Sequence, residues 1–276
     1  AALYGPVFQA GMNFWQMGEG NYWGHNAIIR LKPFMEHCAL PSIPGARTRF
    51  MSHDYVEAAL MRKAGYAVWL APDLSGSYEG VPPTLGDYAQ RDRRWCRGNL
   101  QHRWLLFAPL HWINKLHLLL GIMSYVSSFC WFVFLVLGTI HAYHEFGNET
   151  KRSFDYDVGI VSFLDIGGIR LALILFCATL FVLLAPKMLG WILVVSNREE
   201  RRRFGGVLRL TGGVLLEQLV SMLLAPVHML SSTQALIEAW LGYAVAWSGQ
   251  RRQQSERGVW RAAFVAHASH TVVGLA

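Results

Sequence analysis

The chain changes character near residue 105, where a mixed sequence gives way to long apolar runs. Residues 1–104 combine short apolar stretches with turns and scattered charge, whereas residues 116–140, LHLLLGIMSYVSSFCWFVFLVLGTI, contain no Asp, Glu, Lys or Arg. An α-helix rises about 1.5 Å per residue and must cross about 30 Å of hydrocarbon. The pattern therefore predicts a first transmembrane helix over 116–140.

A second apolar run covers residues 169–195. Arg170 lies near its start, and Lys187 follows Pro186 in its last third. Long basic side chains can extend to the membrane surface or mark its edge. We therefore predict a second transmembrane helix over 169–195.

The last apolar region, 214–247, has a different pattern. Its first part carries Glu217 and Pro226, and its second part, 234–247, is too short to cross a membrane alone. Basic segments flank the region on both sides. We predict interfacial or re-entrant helices over 214–247, with two short tilted crossings as the alternative.

The part before the membrane region predicts a short α/β arrangement. Ser52 is a typical N-cap for a helix over 53–64, which Gly65 ends. The alternation in YAVWLA, 66–71, predicts a β-strand, and Thr84 can cap a further helix through an arginine-rich segment. A helix, strand and helix in this order indicate part of an α/β domain.

Charge in the connecting segments predicts the orientation of the membrane helices. The segment 141–168 contains two Lys or Arg and five Asp or Glu, whereas 196–212 contains five Arg and two Glu. Lys and Arg are retained on the cytoplasmic side of a membrane. The N-terminal part and 196–212 are therefore predicted to be cytoplasmic, and 141–168 to lie outside.

Composition narrows the classes of site and partner. The chain is 53% hydrophobic with a formal charge of +7, and its four cysteines are too far apart for a CxxC pair, so neither a zinc site nor a disulfide framework is indicated. The main basic cluster adjoins a membrane helix, which argues against a nucleic-acid partner. The chain starts without Met or a signal peptide and ends in an apolar run, so we expect a fragment of a longer protein.

The arginine-rich segment RDRRWCRGNLQHRW, 91–104, carries the first candidate site. On a helix, Arg91, Arg94 or Trp95, and Gly98 recur every three or four residues and share one face. Guanidinium groups beside an indole can hold a pyrophosphate while the ring stacks on a sugar. The alternative is a cytoplasmic membrane anchor with interfacial tryptophans.

Two further stretches carry candidate chemistry. Asp54 lies in the first turn of its predicted helix, where the helix dipole stabilises a carboxylate that can accept a proton, and His53 is its neighbour. Trp23, His25 and Asn26 form part of GEGNYWGHNAIIR, whose aromatic, imidazole and amide groups suit a sugar-binding wall. A structural Asp and a glycine-rich turn with core aromatics are the alternatives.

Several long strings together resemble a known family. YWGHNAIIR, SHDYVEAALMRKAGY, SGSYEGVPPTLGDYAQRDRRWCRGNLQHRW and LLAPVHML are similar to the osmoregulated periplasmic glucan synthases of the bacterial inner membrane. These are processive inverting glycosyltransferases of the cellulose-synthase type, in glycosyltransferase family 2. The resemblance implies α/β plus membrane α-helical architecture: the C-terminal half of a cytoplasmic GT-A-type domain over 1–104, then transmembrane and interfacial helices over 105–276.

The resemblance also implies roles for individual residues. Asp54 matches the general base on the acceptor hydroxyl, and Arg94 and Trp95 match the end of the Q-x-x-R-W signature, where Arg faces the diphosphate and Trp lines the acceptor site. This chain departs from that signature, because Arg91 stands in the glutamine position and Gln90 comes one residue early.

The acceptor side and the membrane exit have counterparts too. His25 and Asn26 match positions near the terminal sugar of the acceptor, with Trp23 and His53 as further substrate-binding candidates. The segment 248–270 lies where related synthases have a gating loop.

The implied cofactors and partners complete the expectation. The donor is UDP-glucose, the acceptor is a β-glucan, and the surroundings are a lipid bilayer with a possible periplasmic glucan-processing partner. Mg²⁺ and uridine ligands are expected in an N-terminal half that this chain lacks; the DxD of Asp155 and Asp157 is set aside because its segment is predicted to lie outside the cell. The alternatives are a synthase of another polymer, such as cellulose or hyaluronan, and a non-catalytic membrane transporter or scaffold.

Overall fold

The computed structural model describes most of the chain in two compact units. The described residues are 3–22, 26–43, 50–74, 80, 82, 84–152, 161–243, 263–265, 267–268 and 271–272, with the backbone alone for 142, 145–152 and 161–172. The first unit is Ala1–Met12 with Phe134–Ser221, and the second is Asn13–Val133 with Met222–Ala276. The predicted domain boundary at 104/105 does not coincide with this division.

The described residues are almost entirely helical. The α-helices are α1 Gly5–Gln16, α2 Leu31–His37, α3 His53–Lys63, α4 Leu85–Gln101, α5 Trp112–Arg152, α6 Val161–Ser196, α7 Arg198–Arg203 and α8 Val207–Trp240, with a 3-10 helix at His102–Phe107 between α4 and α5. The α/β class expected from the sequence is therefore not seen in the described part of the chain.

The predicted strand at 66–71 is wrong. Val68 makes an isolated parallel bridge with Glu19, in which its N–H donates to Gly18 O at 2.8 Å and its carbonyl accepts from Gly20 N–H at 3.0 Å. The alternating sequence does give an extended backbone. A strand needs a continuous ladder of partners, and the described residues supply a partner only at this bridge.

The two predicted helices before the membrane region are confirmed. Thr84 caps α4, because its Oγ1 accepts the backbone N–H of Asp87 at 3.1 Å and donates to the Asp87 carboxylate at 2.7 Å. Ser52 occupies the N-cap position of α3, but its side chain makes no capping bond there. Gly65 follows α3 with φ 89°, the left-handed conformation that ends many helices.

Three helices are long and apolar enough to cross a membrane, by length and composition. They cover Trp112–His141 in α5, Leu173–Ser196 in α6 and Val207–Trp240, which is all of α8. The first two agree with the predicted transmembrane helices at 116–140 and 169–195.

Where the sequence predicted more than one helix over 214–247, the structure has a single helix, α8, that continues through Pro226 to Trp240. Proline removes a single N–H donor, and a long apolar helix tolerates that loss as a bend.

Lys187 of the first unit has a partner within the apolar helices. Its Nζ lies 3.1 Å from both Glu217 carboxylate oxygens and 3.0 Å from Gln218 Oε1. Ionisable groups among apolar helices are expensive unless they pair with one another. The basic residue of α6 and the acidic residue of α8, which each interrupt an apolar run, therefore neutralise each other.

Two hydrophobic clusters form the core of the second unit. The first combines Ile43, Phe50, Val56, Leu105 and Leu118, and the second combines Cys96, Leu100, Tyr125, Ala235 and Leu236. Each fully buried Val, Leu, Ile or Phe side chain contributes about 1.5–3 kcal/mol. Because Leu118 and Tyr125 are both on α5, this helix supports α3 through one cluster and α4 through the other.

His102 is a buried polar residue beside the first cluster. Its side chain has no exposed surface, its Nε2–H donates to Ser52 O at 2.8 Å, and the rings of Phe50 and Tyr55 lie 6.2 and 5.9 Å from it. Burial lowers the pKa of His102 to about 4, against a smaller opposing effect of the Ser52 carbonyl. The imidazole is therefore neutral in the folded protein at neutral pH.

This burial predicts a pH dependence of stability. Between pH 6.5 and about 4 the unfolded chain binds a proton at His102 that the folded chain does not. The contribution of neutral His102 to the free energy of unfolding is therefore complete above pH 6.5. It falls by on the order of 3 kcal/mol as the pH approaches 4. Thermal unfolding of purified protein in detergent should show a steeper acid loss for wild type than for His102→Gln. The exposed His37→Gln should keep the wild-type slope, and equal slopes in all three proteins would contradict this account.

Candidate active site

The start of α3 carries a cluster of polar side chains. His53 Nδ1 lies 3.2 Å from Asp54 Oδ1 and 3.0 Å from Glu57 Oε1, while the other Glu57 oxygen accepts a hydrogen bond from the Tyr22 hydroxyl. The Asp54 side chain is 22% exposed and that of Glu57 only 12%. Asp54 is therefore the more accessible carboxylate, and Glu57 lies beneath it with both oxygens engaged.

Tyr22 and Glu57 fix the loop before α2 against α3. Burial, followed by its bond to Glu57, raises the pKa of Tyr22 well above its usual range. The phenol therefore remains a hydrogen-bond donor at any physiological pH. Sequence reasoning missed Glu57, although its spacing of four residues from His53 puts both on one face of a helix.

The same cluster has the spacing of a possible metal site. One ligand atom each of His53, Asp54 and Glu57 lie within 4.8 Å of one another. Mg²⁺ prefers six oxygen ligands in octahedral geometry, whereas this set supplies an imidazole nitrogen and a Glu57 carboxylate already engaged by Tyr22 and His53. These residues therefore do not fit a Mg²⁺ centre.

One face of α4 combines a basic side chain with two aromatic rings. The Arg91 guanidinium lies over the Trp95 ring at 4.6 Å and near the Tyr88 ring at 5.5 Å. Arg94 makes no hydrogen bond or ion pair with another described residue, and Trp95 is 45% exposed. Arg91, which replaces the expected glutamine, thus holds the indole by a cation–π contact, and the Arg94 charge has no partner among the side chains described.

A close backbone approach joins the two candidate regions. A Cβ added to Gly98 would lie 2.7 Å from Ser52 Cβ and 2.9 Å from Ser52 N, so only glycine fits at this point of α4. Nearby, the Met51 N–H donates to Gln101 Oε1 at 2.8 Å. Asp54 follows Ser52 by two residues and Arg94 precedes Gly98 by one helical turn. The residues expected to act on acceptor and donor therefore come from the start of α3 and the middle of α4, and Ser52 and Gly98 are the point where these two segments meet.

The remaining sequence candidates are only partly described. Asn26 is exposed and has φ 56°, a left-handed conformation that Asn tolerates better than most residues. Trp23 and His25 lie outside the described residues, as do Asp155 and Asp157. The gating-loop-like segment 248–270 is described only at 263–265 and 267–268.

A family model of glycosyl transferase family group 2 matches residues 9–248 of the chain. That range includes α3, α4 and all three candidate membrane helices. No solved structure matches the chain.

Curated relatives carry one name. The chain is 45% identical over 281 aligned residues to glucans biosynthesis glucosyltransferase H of Pectobacterium carotovorum, and 44% identical to the proteins of that name from Nitrosomonas europaea and Escherichia coli K12. Each alignment covers 99% of this chain and 32% of the relative. The chain thus spans about a third of the length of the relatives it matches.

The contact at Gly98 can be tested with two glycines of the same helix. Gly98→Ala should destabilise the protein by roughly 1–3 kcal/mol, because the new methyl group must displace Ser52. A Cβ at Gly86 would meet only Thr84 Oγ1 at 3.8 Å, so Gly86→Ala should stabilise by up to about 1 kcal/mol through helix propensity. Thermal unfolding and hydrogen exchange at the first turn of α3 measure both effects. A Gly98→Ala protein with wild-type stability and exchange would refute the contact.

Proposed function

Because the chain belongs to glycosyl transferase family group 2, we propose that its protein is a processive, inverting membrane glucosyltransferase. It transfers glucose from UDP-glucose to the growing β-glucan of osmoregulated periplasmic glucans and couples synthesis to export. The name of the relatives and the three apolar helices support this proposal. The observation that supports it is the close approach of Ser52 to Gly98, because Ser52 comes two residues before Asp54 and Gly98 comes three residues after Trp95 and four after Arg94.

The proposed reaction is a single displacement at the anomeric carbon. The acceptor hydroxyl oxygen forms the new bond to that carbon while the bond to the UDP phosphate oxygen breaks, and Asp54 takes the hydroxyl proton. Arg94, whose charge no described side chain neutralises, stabilises the negative charge that develops on the departing diphosphate. His53 Nδ1, 3.2 Å from the Asp54 carboxylate, orients the base.

In this proposal the acceptor binds next to Trp95, near the contact between Ser52 and Gly98. The exposed Trp95 ring offers a stacking surface for a sugar, and Arg91 over its opposite face restricts the ring's rotation. Trp23, His25 and Asn26 complete the acceptor wall in this proposal, because their loop begins at Tyr22, which is bonded to Glu57 of α3.

We place the α3 and α4 region in the cytoplasm and the protein in the bacterial inner membrane as a multi-pass protein, on the charge asymmetry of its connecting segments. α8 is proposed to lie at the interface. Its 34 residues extend about 51 Å, well beyond the hydrocarbon thickness, and its last turns contact the charged helix α4 through the Arg93–Glu238 ion pair at 3.4 Å. Such a pair suits a membrane surface better than its centre.

The role of Asp54 predicts a large and specific loss of turnover. Asp54→Asn should lower kcat by roughly 10²- to 10⁴-fold, because the amide cannot accept the proton, and should leave UDP binding and thermal stability close to wild type. Transfer of labelled glucose from UDP-glucose into polymer, in membrane vesicles that contain the full-length protein, measures kcat. The exposed Asp73→Asn is the matched control and should remain fully active. Wild-type turnover in Asp54→Asn would remove this residue from the mechanism, and a wild-type protein without transfer would refute the proposed function.

The stacking role of Trp95 predicts a loss on the acceptor side. Trp95→Ala should weaken acceptor engagement by about 0.5–1.5 kcal/mol beyond the lost contact area, while UDP affinity changes little. Glucan length and yield, compared with UDP affinity by calorimetry, separate the two effects. Trp104→Ala is the control, since Trp104 is similarly exposed, at 42%, and lies beside Arg103 instead. Unchanged glucan length and yield in Trp95→Ala would exclude the stacking role.

A further inference from the structure

Asp92 is an acidic residue among the arginines of α4, and the mechanism above does not use it. Its Oδ1 accepts a hydrogen bond from the Tyr125 hydroxyl at 3.1 Å, and its Oδ2 accepts one from Ser232 Oγ at 3.4 Å. Tyr125 is on α5 and Ser232 on α8. A single carboxylate therefore connects α4 to two of the apolar helices.

The surroundings of Asp92 differ from those of a surface acid. Cys96 and Leu100 lie one and two helical turns further along the same face and pack against Tyr125, Ala235 and Leu236, which are buried. Burial raises the pKa of Asp92, and the two hydroxyl donors act in the opposite direction. An acidic group kept at this cost in an apolar contact needs a reason beyond packing, since a leucine would fill the same face.

The angular positions on α4 supply that reason. At 100° per residue, Trp95 lies about 60° from Asp92 around the helix axis, Gly98 about 120° and Arg94 about 160°, all in the same sense. Two hydrogen bonds from different helices add a directional restraint on this rotation, in addition to side-chain packing and the contact at Gly98.

Two other contacts limit α4 on its far side. Arg93 pairs with Glu238 at 3.4 Å, and the Arg97 guanidinium donates to Tyr243 O at 2.5 Å. Glu238 is in the last turn of α8 and Tyr243 follows this helix by three residues, both on exposed or half-exposed surface, where such contacts are worth little. The bonds of Asp92 are the part-buried ones and hold the helix more firmly.

We propose that Asp92 is a positioning residue for glucosyl transfer. Its bonds to Tyr125 and Ser232 set the rotation of α4, so that Arg94 and Trp95 face the reacting groups. This inference rests on the proposed function, and it adds a residue that contacts neither donor nor acceptor.

The test compares substitutions at Asp92 in vesicles that contain the full-length protein. Asp92→Leu removes both bonds and the charge and keeps an apolar face, and kcat per folded molecule should fall roughly 10- to 100-fold, because small misplacements of reacting groups are costly. Asp92→Asn should recover most of the activity, since its oxygen accepts from Tyr125 and its amide donates to Ser232 Oγ. Asp73→Asn is the control for the loss of a carboxylate and should leave kcat unchanged.

The partner hydroxyls supply an independent test. Tyr125→Phe and Ser232→Ala should each lower kcat, and neither should lower it further when added to Asp92→Leu. Tyr143→Phe, at an exposed position of α5, should have no effect. These milder variants decide the question even if Asp92→Leu fails to fold.

The outcomes separate this inference from the function on which it rests. Wild-type protein that transfers no glucose would refute the proposed function and with it this role. Active wild-type protein together with unchanged kcat in Tyr125→Phe and Ser232→Ala, or with fully additive losses, would overturn the positioning role alone. If Asp92→Leu lowered thermal stability but left kcat per folded molecule unchanged, Asp92 would serve folding only, and the positioning role would also be overturned.

Discussion

The approach of Ser52 to the backbone of α4 at Gly98 is the contact on which the candidate site depends. Only glycine leaves enough room for this approach, because a Cβ atom at position 98 would lie within 3 Å of Ser52. The buried bond from His102 to the Ser52 carbonyl holds the same residue from a second direction. The start of α3 is therefore held at a fixed distance from α4 at Gly98. The candidate side chains are positioned by this backbone contact more than by contacts of their own.

The charges of α4 divide according to their partners. Arg93 and Arg97 contact the end of α8, Arg91 lies on Trp95, and Asp92 contacts two other helices. Arg94 remains without such a contact among the described residues, which is the condition a leaving-group ligand requires. A basic cluster that looks uniform in the sequence thus separates into arginines with structural partners and one, Arg94, that has none among the described residues. The distinction depends on which side of the helix each residue occupies.

Local rules predicted local features well. The Thr84 cap, the glycine that ends α3 and the long apolar runs each depend on chemistry within a few neighbouring residues, and the structure has them. The strand at 66–71 depended on distant partners, so its alternating pattern alone misled, and the continuity of α8 through Pro226 could not be predicted from neighbouring residues. The pairing of Glu57 with Tyr22 spans 35 residues and that of Asp92 with Ser232 spans 140, beyond the reach of any motif.

The Lys187–Glu217 pair has a consequence for how the protein is made. Thirty residues separate the two charges, so a ribosome delivers Lys187 to the insertion machinery before its counter-ion has been synthesised. An unpaired lysine costs about 2.5–3.5 kcal/mol at the centre of a membrane helix on insertion scales, and less in the last third of the run, where Lys187 lies. α6 therefore becomes fully stable in the bilayer only after the first turns of α8 have emerged, and the two helices with the short α7 between them form a natural unit of biogenesis.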